Sequence, residues 1–186
     1  LATGRAVTEQ QRERQVRRTI GLMVLMLLPA ALNADQDKVV GYWAGPSSIF
    51  EVAREDETLT GTIRALLHPN YLPDESTGRT GEARTDSNNP DESLQNQPLI
   101  GLSMFSEYEW KDGQWQGKIY DPESGNVYQS RMSLNKKGEL EIRGYIGMPM
   151  FGRTSTFTPV SECTPQIVPM LAQISAENLC ESARTP

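Results

Sequence analysis

Histidine is nearly missing from this chain. His68 is the single one in 186 residues, and cysteine occurs twice, at Cys163 and Cys180. A centre built on imidazole or thiolate needs several such ligands at short spacing, so neither a metal nor a cofactor is expected. No Gly-rich phosphate loop and no Gly-x-Ser-x-Gly elbow is present, which removes the usual marks of nucleotide binding and serine-hydrolase chemistry. His68 stands alone before Pro69, and a lone loop histidine reads as a surface residue. No catalytic residue is named on these grounds.

Positive charge and long apolar runs are scarce too. Eighteen Lys and Arg face 24 Asp and Glu, for a formal net charge of −6. That balance repels phosphate backbones, so a nucleic-acid partner is not expected. The one sustained apolar run, Ile20 to Leu32, follows Arg14, Arg17 and Arg18 and closes on Leu-Asn-Ala. It falls short of the roughly 20 residues a membrane span needs, so no stable span is expected. Its layout is that of a signal peptide over 1–34, cleaved near Ala34, with an uncleaved anchor as the alternative. The chain opens on Leu1 with no methionine before Met23, and a start near Val16 would give a leader of ordinary length. No cysteine stands directly after the run, where Asn33, Ala34 and Asp35 follow, so a lipid anchor is not expected. Without residues 1–34 the domain carries 13 basic and 22 acidic side chains. The expected location is the periplasm.

What is present from residue 39 to 158 is alternation broken by turns. In "TLTGTIRALL", Leu59, Gly61, Ile63 and Ala65 share one face. "LIGLSMFSEYEW" sets Ile100, Leu102 and Met104 on one side, with Glu107 and Glu109 opposite. Later runs align Trp115, Gly117 and Ile119, then Tyr128, Met132 and Leu134, then Leu140, Ile142 and Ile146. Tight Gly-bearing corners such as "KDGQ", "DPESG" and "NKKG" join them, so the strands read as consecutive hairpins. The expected class is all-β: an antiparallel up-and-down barrel of about eight strands over 35–160, with a two-sheet sandwich as the competitor. Residues 68–97 lack periodic apolar positions and form one long loop, a length that usually marks function or disorder. After Pro165, Ile167, Met170, Leu171 and Ile174 have helical spacing, so 161–186 is a short helical tail. In an exported chain Cys163 and Cys180 are expected to pair, closing a loop that adds about 3 kcal/mol; two free thiols are the alternative.

The polar clusters mostly read as corners. In "GKIYDPESGNVYQSRM", Pro122 fixes φ, Asp121 can bond its own backbone and Gly125 permits positive φ. Tyr120 and Tyr128 flank that turn and could pair across it. "DSNNPDE" at 86–92 has the oxygen content of a calcium loop, but Pro90 and Asp91 stand where such a loop needs Asp or Asn and then Gly. Loop capping is the plainer reading. Arg153 stacking over Trp43 would close the barrel base by a cation–π contact. Arg143, Tyr145, Tyr120 and Tyr128 are the candidate ligand contacts; Trp43, Arg153, Asp121 and Gly125 are the candidate structural residues.

Three stretches, "DSNNPDESLQNQPLIGL", "GKIYDPESGNVYQSRMSL" and "ELEIRGYIGMPMFGRTSTF", resemble the DUF2147 proteins, exported bacterial proteins of unknown function regarded as lipocalin-like. The likeness spans roughly residues 40–158 and implies a lipocalin-like barrel without established catalytic residues. Gly41-Tyr42-Trp43 is similar to the Gly-x-Trp opening of lipocalins. The chain departs from the pattern at Phe157, where a tryptophan is usual, and at Gln95 or Asn96, where an arginine is usual.

The function expected is binding of a small apolar or amphipathic molecule in the barrel mouth, with glycines such as Gly61 and Gly117 leaving room and the 68–97 loop as lid. A solid barrel contacting an envelope protein is the second reading. An enzyme using Tyr120, Asp121 or Arg143 in a lidded cavity is the third.

Overall fold

Alternation of apolar and polar residues puts every second side chain on the same face of a strand, and the chain spends that pattern on eight strands. A computed structural model describes residues 36–75 and 77–175. The signal-peptide expectation for 1–34 lies outside those residues, as does Cys180. The unit from Val39 onward holds β1 (Gly41–Ala44), β2 (Ser48–Glu55), β3 (Thr58–Leu66), β4 (Phe105–Lys111), β5 (Gln114–Asp121), β6 (Asn126–Leu134), β7 (Leu140–Tyr145) and β8 (Arg153–Pro159). A short helix, α1 (Val168–Leu171), follows.

All pairings are antiparallel, in the order β3-β2-β1-β8-β7-β6-β5-β4. The two outer strands then meet. Ile63 N donates to Leu102 O at 3.0 Å, Gly101 N to Ile63 O at 2.8 Å and Met104 N to Gly61 O at 2.7 Å. Backbone that would otherwise form an open edge is thereby paired, and the sheet closes into a nearly complete up-and-down barrel. Outward positions carry Glu51, Arg64, Lys118 and Glu107, the last two ion-paired at 2.7 Å.

Leu59, Gly61, Ile63 and Ala65 do share a buried face. The β4 expectation needs correction. Ile100 is exposed, Leu102 precedes the strand, and Phe105 and Tyr108 are the buried residues. Glu107 adopts φ 56° where the pairing slips between Ser106 and Glu109. This bulge inserts a residue and moves the inward set from even to odd spacing, which no alternation rule anticipates. Ile146 also leaves the expected face: it lies beyond β7 and is exposed.

Phe50, Val52, Leu59, Phe105, Tyr108, Trp115, Met132, Leu140 and Ile142 build the interior cluster. A second cluster packs Met170, Leu171 and Ile167 of the tail against Ala44, Ile49 and Ala65. Gln173 seals that contact: its amide accepts from Leu66 N at 3.1 Å and donates to Leu66 O at 2.8 Å. Cys163 takes a left-handed conformation, φ 49°, just before this helix; its pairing with Cys180 stays a proposal.

Candidate ligand site at the barrel mouth

Where the β5–β6 hairpin and the β7–β8 connection meet, the interior opens into a cavity of ≈ 760 Å³. Met104, Ile119, Ile142 and Phe157 form its floor, all packed on or within the interior cluster. Asp121, Glu123, Tyr128, Ser155 and Arg153 supply polar groups around it, and Ile146 and Phe151 an apolar rim. The chemistry is that of a site for an amphiphile: an apolar base with polar groups at the opening.

Two glycines expected to enlarge this space do something else. A Cβ at Gly61 would lie 2.3 Å from Phe105 Cδ2, and one at Gly117 2.7 Å from Tyr108 Cγ. Both positions are occupied by aromatic rings, so their bareness makes room for core packing. Phe105 and Tyr108 themselves lie 4.9 Å apart between ring centroids. The Tyr108 hydroxyl reaches Ser130 Oγ in the buried interior, and burial raises its pKa above the ordinary tyrosine value. Gly144 differs: its added Cβ would meet nothing nearer than Tyr128 Cβ at 3.7 Å.

The 117–132 stretch is a corner, as its turn chemistry predicts. Asp121 accepts from Glu123 N at 3.0 Å and from Ser124 Oγ at 2.6 Å, and Gly125 has φ +69°. Gly125 is also required by its neighbour, since a Cβ there would stand 2.0 Å from Asn88 O. Tyr120 and Tyr128 do not pair across the turn. The register sets Tyr120 against Val127 and Ile119 against Tyr128, so the two tyrosines belong to opposite faces of the sheet. Tyr128 faces inward at the mouth. Tyr120 turns outward and donates to Asp86 Oδ1 at 2.7 Å.

Asp86 is the centre of an anchor that sequence reasoning missed. It is fully buried, and Oδ2 accepts from Asn89 Nδ2 at 2.7 Å and Gln97 Nε2 at 3.2 Å. A carboxylate so enclosed is sustained only by donors on both oxygens. Burial first, then Asp86, pushes the Tyr120 pKa up to about 12, so it stays a donor at neutral pH. Asn88 Nδ2 adds a bond to Glu123 O at 2.8 Å. Further along, the Arg79 and Arg84 guanidinium carbons lie 4.8 and 5.2 Å from the centroid of the buried Tyr71 ring. The 68–97 segment is therefore a docked loop. Its expected role as a lid is corrected: none of the described residues lining the cavity comes from 68–97. Asp91 accepts from Ser93 N at 2.9 Å and caps the turn at Glu92–Leu94, the capping role its sequence suggested. Gln95 donates to Asn89 O at 2.9 Å, within the same network.

The two arginines exchange their expected places. Arg153 cannot stack on Trp43. Trp43 is opposite Pro159 and Arg153 opposite Gly144, six residues apart along β8, or roughly 20 Å. Arg153 instead lines the cavity, while Trp43 is buried and donates from Nε1 to Val39 O at 2.8 Å. Arg143, expected at the ligand, lies on the outer face and holds the β7–β8 connection. Its Nε donates to Pro149 O at 2.7 Å, Nη2 to Met150 O at 3.2 Å and Nη1 to Thr154 Oγ1 at 2.9 Å. Tyr145 contributes to the cavity wall, with the Arg131 guanidinium 5.9 Å from its ring centroid.

Residues 40–159 match the family described as "Uncharacterized protein conserved in bacteria (DUF2147)". The chain belongs to this family. Among solved structures, protein HP1028 of Helicobacter pylori, described as belonging to the lipocalin family, is similar with a TM-score of 0.52 and 21% identity. The match covers 76% of this chain and 88% of that one. At this identity the likeness concerns the fold, and the DUF2147 domain here is a lipocalin-like barrel. No curated protein matches the chain.

Proposed function

We propose that this DUF2147 protein is exported to the periplasm and binds one small amphipathic molecule in the mouth of its barrel. The observation that carries the reading is the ≈ 760 Å³ cavity with an apolar floor and polar rim, within the roughly 300–1,000 Å³ typical of small-molecule sites. An apolar body would rest on Met104, Ile119, Ile142 and Phe157. A polar end would reach the Tyr128 hydroxyl or the Arg153 guanidinium. The lipocalin-like fold supports a binding role, since barrels of about eight strands hold either side chains or one small ligand. The tightly packed part of the interior favours a second reading, an envelope protein that uses its outer surface.

Gly144→Leu separates the two. The residue belongs to the inward-facing set of β7 and lines the cavity; a Cβ there would touch only Tyr128, at ordinary contact distance, so leucine would project into the cavity without forcing the strand aside. The wild type is expected to enhance N-phenyl-1-naphthylamine fluorescence, and the variant to bind it about tenfold or more weakly, the loss of ~1.4 kcal/mol of contact. Its unfolding midpoint should stay close to wild type. Equal probe binding by both proteins would remove the cavity from the proposal. Native mass spectrometry of protein recovered from its own host would show a retained ligand as added mass.

A further inference from the structure

The connection between β7 and β8 exposes an unusual set of side chains: Ile146 at 75%, Met148 at 57%, Met150 at 70% and Phe151 at 75%. Large apolar residues singly exposed need no explanation, but contiguous ones mark a contact surface. Here they occupy one short lip at the opening of the barrel. From its geometry we infer that the lip inserts its side chains into the apolar boundary of a lipid surface.

Two observations favour a bilayer over another protein. The first is that the three consecutive carbonyls at the lip's centre, those of Met148, Pro149 and Met150, are already bonded. Met148 O accepts from Phe151 N at 3.1 Å, and Pro149 O from Gly152 N at 3.1 Å and Arg143 Nε at 2.7 Å. Met150 O accepts from Arg143 Nη2 at 3.2 Å. Entering a medium without hydrogen-bond donors is costly for bare carbonyls and much less so for bonded ones. Arg143 thus does for the lip what water would otherwise do. The second is size. Four projecting side chains are far fewer than the roughly 20–30 residues each partner gives to a stable protein interface, whereas a few apolar side chains suffice for reversible seating at a membrane boundary.

Position gives the lip its use. Ile146 and Phe151 belong both to it and to the cavity rim, so a seated lip would set the barrel mouth against the bilayer. The inference stands whether or not the cavity holds a ligand, because it depends on the lip alone.

Flotation of the full chain with phosphatidylcholine vesicles tests it. The wild type is expected to float, and to do so equally in roughly 0.5 M salt, where charge attraction is screened. Met150→Ser/Phe151→Ser should weaken partitioning by about tenfold for each side chain removed. Wild type that stays in solution, flotation lost in salt, or a double variant that floats as well as wild type would each overturn the inference. So would a double variant that instead loses a dimer seen by native mass spectrometry, since the lip's occupant would then be a second copy. Should the double variant not fold, Phe151→Trp gives an independent reading. Its added indole emission should shift to shorter wavelength on vesicles, and no shift relative to wild type would count against insertion.

Discussion

The two ends of the barrel interior use glycine in opposite ways. At Gly61 and Gly117 the missing side chain is replaced by the rings of Phe105 and Tyr108, which would stand 2.3 and 2.7 Å from an added Cβ. At Gly144 no ring leans over the missing side chain: an added Cβ would meet only Tyr128, at an ordinary 3.7 Å. The first pair belongs to the packed part, where Phe50 meets Phe157 edge-on at 4.9 Å and Trp110 meets Trp115 at 5.6 Å. Gly144 belongs to the open part, beside Tyr128 and Arg153. Glycine in a strand therefore does not by itself signal a cavity. What matters is whether an aromatic residue on a neighbouring strand can lean over it.

The strongest way to break this contrast is to empty the packed end. Trp115 is fully buried between β4 and β6, and Trp115→Ala should cost about 3–5 kcal/mol of stability, read from urea unfolding midpoints. If the packed end is what holds the barrel together, Gly144→Leu will show none of that loss. A Trp115→Ala chain with a wild-type midpoint would mean that the interior is not packed as described.

A smaller effect is expected from filling the same end. Gly61→Ala and Gly117→Ala each force a ring aside, at about 1–3 kcal/mol. Gly117→Ala should be the harder to relieve, because the added carbon also approaches Tyr108 Cα at 2.8 Å and backbone yields less than a ring. Alanine variants as stable as wild type at these positions, measured by thermal unfolding, would show that the interior has slack after all.

Much of this was legible in the sequence and some was not, for definable reasons. Alternation and Gly-bearing corners carry local information, so the strands, the hairpins and the Asp121–Gly125 turn could be read directly. Closure between β3 and β4 could be inferred only as the fate of an edge. The bulge at Glu107 could not, because one residue in a left-handed conformation reverses which side chains face inward while leaving composition unchanged. Asp86 gave no signal among the many acidic and amide residues of its loop; its importance comes from Tyr120, 34 positions away. The arginines were misassigned because a role was read from nearness in sequence to aromatics, while strand parity sends Arg143 out and Arg153 in. One cue was available for the lip: "GMPMFG" places Met148, Met150 and Phe151 in a connection with no strand face to bury them.

The rim of the open end differs from side to side as well: on one side an apolar lip, on the other a hairpin fixed to the 68–97 loop through Tyr120 and Asp86. Tyr120→Phe tests that second side and should have the mildest effect, about 1 kcal/mol at neutral pH, since Asp86 keeps its bonds from Asn89 and Gln97. Its signature is the pH dependence. The folded-state pKa of Tyr120 is raised from 10.0 to about 12, by burial first and by Asp86 second. A group raised on folding contributes its stability in full below the unfolded value and loses it as pH climbs through the folded one. Wild type should thus hold a constant advantage over Tyr120→Phe up to about pH 10 and lose it progressively toward pH 12, as a tyrosinate comes to face a buried carboxylate. Tyr108, also raised, is common to both chains and cancels in the comparison. A difference in midpoint that stays flat through this window would mean that the Tyr120 hydroxyl does not hold the loop, and that the docked side of the mouth is no more fixed than the lip.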